Sequence, residues 1–190
     1  TSSEQRAQWE RVLKDLPDLP KGEKEGGIWF KPADSYGKKH NWENANLYGV
    51  WPFQVQGLGW PELDMIMFTY KNRYHRNTGC WRYDAIHAAM LGDTAQAKKH
   101  LVNNVTNQFH TIGPDEVKNT PPSRFPAFWH TGDWVPDQDH ASIIITALQS
   151  MMMVAGPKDI RLMTAWPDDW NASFKFHAAD QTTVEGKVEK

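Results

Sequence analysis

The sequence predicts a mainly α chain that closes with a short β region. Three observations carry this. Apolar residues recur at three- and four-residue spacing in five segments before position 157, strict alternation replaces that period afterwards, and Gly or Pro punctuates the boundaries. The division predicted is therefore a helical segment over 1–157 and the start of a β region over 158–190. No repeat of fixed period interrupts either part.

The elements follow in order. Ser2 to Leu16 reads as an amphipathic helix, with Trp9, Val12, Leu13 and Leu16 on one face. Ser2 with Gln5 has the spacing of a capping box, and Pro17 and Pro20 end the run. Lys21 to Lys39 is rich in Gly and Lys, and Gly27 to Pro32 fits a short strand or an ordered loop. Glu62 to Tyr74 predicts a second helix through Leu63, Ile66, Met67 and Tyr70. Trp81 to Leu91 predicts a third, whose Ala85, Ala88 and Ala89 permit close packing, and Gly92 stops it.

Asp93 then caps a fourth helix running to about Phe109, with Gln96 in the reciprocal position. Gly113 to Trp134 is a long loop rich in Pro, Phe and Trp, a length usually reserved for function. Ala141 to Val154 is apolar almost all round and predicts a buried fifth helix, ended by Gly156-Pro157. Ile160 to Thr164, Ser173 to Ala178 and Thr182 to Val188 alternate as strands do.

The 190 residues carry a net charge of −2, with acids and bases interspersed. A nucleic-acid partner wants a basic face, so none is predicted. No apolar run approaches the roughly 20 residues that span a bilayer, so no membrane partner is predicted either. The single cysteine, Cys80, forbids an intrachain disulfide and leaves the compartment open. The 10 Trp are the strongest compositional signal. An indole offers a flat apolar face with one donor, which suits either a core or the C–H face of a pyranose.

Two stretches concentrate the chemistry. Trp134-Val-Pro-Asp137-Gln-Asp139-His140 puts two carboxylates before a helix, whose dipole favours their ionised form. An ionised Asp there serves as a general base that deprotonates a water, or Asp139 simply caps the helix. His130, Asp133, Asp137, Asp139 and His140 also offer metal-ligand chemistry, without the spacing of a zinc helix or a calcium loop. No metal or other cofactor is predicted.

His40-Asn41-Trp42-Glu43-Asn44-Ala-Asn46-Leu-Tyr-Gly-Val-Trp-Pro52 groups amides, a carboxylate and two indoles. Amides and carboxylates engage sugar hydroxyls in paired hydrogen bonds, or the Asn side chains bond their own backbone in a turn. Glu43 is an acid/base candidate. Ala165-Trp-Pro-Asp-Asp-Trp170 reads as a structural turn.

Four blocks, in order, resemble glycoside hydrolase family 95, the inverting α-L-fucosidases and their relatives. Asn44-Ala-Asn-Leu-Tyr-Gly-Val-Trp-Pro is similar to the family's S-H-L-Y-x-L-Y-P segment, and Trp81 to Asp93 to its W-x-x-x-x-x-A-R-L-x-D helix. Pro136-Asp-Gln-Asp-His-Ala-Ser, followed by Ala147-Leu-Gln-Ser-Met, is similar to I-D-G-N-F-G-G…E-M-L-L-Q-S. Ile160 to Trp170 is similar to L-L-P-A-L-P…W. The similarity runs from about Ala7 to Val188.

The resemblance implies part of an (α/α)6 toroid followed by a short C-terminal β region. It also implies an inverting glycoside hydrolase acting on an oligo- or polysaccharide, in a secreted or periplasmic setting. Asp137 falls on the family's water-activating acid, and Asp139 replaces the Asn of that motif. Asn46 replaces a substrate-contacting His, and the earlier histidines fall near Asn41 and Glu43. The family's general-acid Glu corresponds to a segment upstream of Thr1. The expected partner is therefore either the missing N-terminal half of the catalytic domain, or Glu43 or Asp139 acting as substitute acid.

The site expected is Asp137, Asp139 and Glu43 for catalysis, with Asn41, Trp42, Asn44, Asn46, Trp129, His130 and Trp134 on the sugar. The competing expectation is a non-catalytic carbohydrate-binding protein on a partial toroid, with the aromatic groove and no acid.

Overall fold

A computed structural model describes residues 1–38, 43–76, 82–106, 139–156 and 159–190. These form five α-helices: α1 (Ser3–Asp15), α2 (Leu63–Lys71), α3 (Asp84–Met90), α4 (Thr94–Thr106) and α5 (Asp139–Met152). Six strands join them: β1 (Lys21–Lys24), β2 (Gly27–Phe30), β3 (Met153–Ala155), β4 (Ile160–Leu162), β5 (Ala172–Ala178) and β6 (Thr182–Val188). The strands pair only with their neighbours, as three separate two-stranded antiparallel sheets.

This corrects the expected mainly α toroid. One of the three sheets lies between α1 and α2, so strand structure is not confined to the C-terminal end. A ring of paired helices also requires each helix to bury a face against its neighbours. α1 has no buried residue, and its Trp9, Val12, Leu13 and Leu16 are all more than half exposed. The Lys21–Phe30 stretch folds as a hairpin because Gly26 takes a positive φ of 91° at the turn, which costs a residue with a Cβ but not Gly.

Two helix N-termini follow the sequence closely. Ser2 Oγ accepts from the Gln5 amide while the Gln5 side chain accepts from the Ser2 amide, the reciprocal box expected for α1. Asp93 Oδ1 accepts from the Gln96 amide at 3.1 Å and caps α4. Gly92, with φ of 76°, turns the chain between α3 and α4.

The core lies where α3, α4 and α5 meet. Every residue of α3 is buried, and Ala85, Ala88 and Ala89 are 0 % exposed. Small side chains let α4 and α5 approach α3 closely, and both pack on it. α2 closes one side through Ile66 and Tyr70, with the 3-10 turn Ala45–Leu47 beside it. β2 packs on α2, burying Trp29 and Phe30, and Thr69 Oγ1 accepts from the Phe30 amide at 2.9 Å.

The expected burial of the fifth helix is also corrected. Ala141, Ile143, Ala147 and Met151 face the core, but Ile145 is 53 % and Leu148 38 % exposed. The helix ends at Met152, and Met153 to Ala155 continue as β3. β-Branched and thioether side chains fit either state, so the antiparallel pairing of Met153 with Leu162 selects the strand here. The Trp166–Trp170 stretch is the structural turn expected: Trp166 Nε1 donates to the Trp170 carbonyl at 3.0 Å, and the two indoles meet edge to face. Among the described residues no helix is long and apolar enough to cross a membrane.

Candidate active site

Glu43 enters the 3-10 turn, Tyr48 leaves it, Tyr83 caps the N-terminus of α3 and Asp139 opens α5. α3 and α5 pack together, and the 3-10 turn packs on α2. The Tyr48 hydroxyl donates to a Glu43 carboxylate oxygen. Burial raises the Tyr48 phenol well above its ordinary value, and the Glu43 bond and charge add to the shift.

Tyr83 reports both carboxylates. Its phenol is raised first by burial, then by the charge of Glu43, then by the charge of Asp139. Both carboxylates therefore act on one hydroxyl from different elements. The phenols stay protonated at neutral pH and remain donors, while an ionised carboxylate only accepts. Asp139 also sits in the first turn of α5, where the helix dipole favours negative charge. Carboxylates held beside fixed O–H donors form the arrangement that proton transfer requires.

Behind Tyr83 lies a buried ion pair. Arg73 Nε donates to Asp84 Oδ1 at 2.5 Å, with both side chains about 95 % removed from solvent at 5 % and 3 % exposure. Arg73 Nη1 donates to the Tyr70 carbonyl at 2.6 Å, and its guanidinium carbon stands 3.9 Å from the centre of the Tyr70 ring. Burial raises the Asp84 carboxyl, and the Arg73 charge opposes that shift. His100 Nε2 lies 3.4 Å from Arg73 Nη2. His87 is 2 % exposed, and neither ring nitrogen has a well-formed hydrogen bond among the described residues. Desolvation, helped by the Arg73 charge, lowers His87 to about 3 and His100 to about 4.

No protein-family model, curated protein or solved structure matches the chain.

The residues expected at the site divide by placement. The charges of Glu43 and Asp139 both reach the Tyr83 phenol. Asn44 is 5 % exposed, and its amide bridges the backbone of His75 in both directions, donating at 2.9 Å and accepting at 3.1 Å. One amide hydrogen and one carbonyl lone pair remain for any further contact. Asn46 is 4 % exposed, and neither its nitrogen nor its oxygen has a partner among the described residues. Asn41, Trp42, Trp129, His130, Trp134 and Asp137 lie outside the described residues.

Tyr48 and Tyr83 were not among the expected site residues. Both stand inside blocks that the sequence had already marked, in Asn44 to Pro52 and in Trp81 to Asp93. Their roles depend on which carboxylates lie opposite, and linear spacing carries no such information. The Arg73–Asp84 pair was equally silent, because a basic residue just past the end of an amphipathic helix usually points to water.

Proposed function

We propose that the protein is a glycoside hydrolase of the inverting type, acting on an oligo- or polysaccharide outside the cytoplasm. The observation that carries the reading is the Glu43 carboxylate held by the Tyr48 hydroxyl, with the charges of Glu43 and Asp139 both raising the Tyr83 phenol. The ordered similarity of four sequence blocks to glycoside hydrolase family 95 supports it.

Inversion needs a carboxylic acid that protonates the leaving oxygen and a carboxylate that activates water on the opposite face of the ring. In this reading Asp137 activates the water. Glu43 and Asp139 are the carboxyl groups that move or hold protons. Tyr48 fixes the Glu43 carboxylate by donating to it. Tyr83 supplies an un-ionised donor within the field of both carboxylates, suited to a sugar hydroxyl. Asn46 offers an unengaged amide to a second hydroxyl, and Trp42, Trp129 and Trp134 stack on rings.

The test is turnover of a panel of aryl and oligosaccharide glycosides by the full-length protein and by Glu43→Gln, Asp139→Asn and Asp137→Asn. Loss of a general acid or base costs about 10²–10⁴-fold in rate, with saccharide binding retained. Proton NMR of the first product should show the inverted anomer. Unchanged turnover in all three variants, or binding without any product, rejects the assignment.

A further inference from the structure

A groove of about 500 Å³ opens between the C-terminal half of α5, β3 and β5, on the side of Trp51. That size falls within the range of about 300–1,000 Å³ typical of small-ligand clefts. Gln149 of α5 lies ten residues beyond Asp139, about 15 Å along the helix axis at 1.5 Å per residue. The groove is thus set apart from the carboxylates, and neither Glu43 nor Asp139 lines it.

Its lining has a distinct chemistry. Trp51 and Phe176 supply two aromatic surfaces, and Gln54 and Gln149 supply two amides. Lys175 and His177 come from the same strand as Phe176 and are its basic residues among those described. No acidic residue lines it among the described residues. A smaller extension shares Gln54 and continues to Trp60 and Arg161, where Asp159 is paired with Arg161. Glu185 pairs with Lys175 at 3.1 Å across the β5–β6 hairpin. Both partners are more than 60 % exposed, so water screens the pair and Lys175 is readily re-partnered.

Aromatic surfaces match the apolar faces of pyranose rings, amides match hydroxyls, and bases without acids match negative charge. We infer that this groove is a non-catalytic binding site for an acidic saccharide chain, one whose sugar units carry carboxylates. With no carboxylate of its own it has no group for general acid or base work. It holds a length of polymer on side chains other than Glu43 and Asp139. The inference rests on the hydrolase reading only in taking the ligand to be a saccharide.

The test is isothermal titration of the full-length protein with oligogalacturonide and with a cello-oligosaccharide of equal length. Oligogalacturonide should bind about tenfold tighter at low salt, the difference expected of one added charge-assisted hydrogen bond. The advantage should shrink as salt screens it. Lys175→Gln with His177→Gln should remove the difference, and Phe176→Ala should weaken both ligands. Glu185→Gln, at an exposed position, should tighten oligogalacturonide by freeing Lys175. Equal affinity for the two saccharides, no binding of either, or an advantage that survives the Lys175 and His177 changes overturns the proposal. Because binding is read without turnover, Glu43→Gln leaves these results intact, and failure here leaves the hydrolase reading standing.

Discussion

Acid should unfold this protein through two histidines. His87 sits inside α3 with every neighbour on that helix buried, and His100 touches Arg73 from α4. Desolvation and the Arg73 charge lower them to about 3 and about 4, against about 6.5 for a solvated imidazole. A base whose folded value is depressed is neutral in the fold and protonated in the unfolded chain between the two values. Its contribution is complete above about pH 6.5 and is lost as pH falls through that window.

At pH 5 both folded values still lie below the solution pH, so the cost depends only on the unfolded chain. Each histidine then loses about 1.5 pH units' worth, or about 2 kcal/mol, and the pair about 4 kcal/mol. Against a total stability of about 5–15 kcal/mol that is a large fraction. Asp84, raised by burial, works in the opposite direction. Urea unfolding followed at pH 7, 6 and 5 reads the loss directly. His87→Leu removes one titrating group from the same pocket, so its stability should fall by about 2 kcal/mol less than the parent's between pH 7 and 5. An identical pH slope in the two proteins would refute the account, whatever their stabilities at pH 7.

Two further outcomes follow from the core and its turns. Asp84→Ala leaves the Arg73 guanidinium buried and without its carboxylate, so stability should fall by about 3–5 kcal/mol, measured by urea titration at pH 7. A loss under 1 kcal/mol would mean that water reaches Arg73. Gly92→Ala places a Cβ at φ of 76° and 3.1 Å from Leu58 Cδ1. The left-handed backbone alone costs about 1–2 kcal/mol, and a thermal midpoint equal to the parent's would contradict that cost.

Local chemistry was legible where one stretch of chain contains both partners of an interaction. Ser2 with Gln5, Asp93 with Gln96, and the positive-φ Gly92 are each set within four residues, so their spacing sufficed. The alternation of Phe174 and Phe176 with Lys175 and His177 gave β5 for the same reason, and β6 pairs with it through a turn at Asp180 and Gln181, both with positive φ. Pattern failed where the environment chooses between two acceptable states. Met153 to Ala155 extend an apolar helix on paper and join β4 in the fold. Ile145 and Leu148 look like core on paper and face outward, while Ile143, Ala147 and Met151 take the core.

The sequence by itself determined the five helical stretches, the N-terminal caps of α1 and α4, and the carboxylates and amides worth watching at Glu43, Asn44, Asn46 and Asp139. The tertiary structure decided that the strands make three small sheets rather than a terminal appendage to a helical ring. It decided that Asn44 holds the backbone of His75, that Arg73 is buried on Asp84, and that Glu43 and Asp139 act on the same phenol. The reason is physical: caps and turns are short-range hydrogen bonds, fixed by residues a few positions apart. The electrostatics of a buried site depend on which helices pack together, and that follows from the sum of many weak, non-directional contacts across the whole chain.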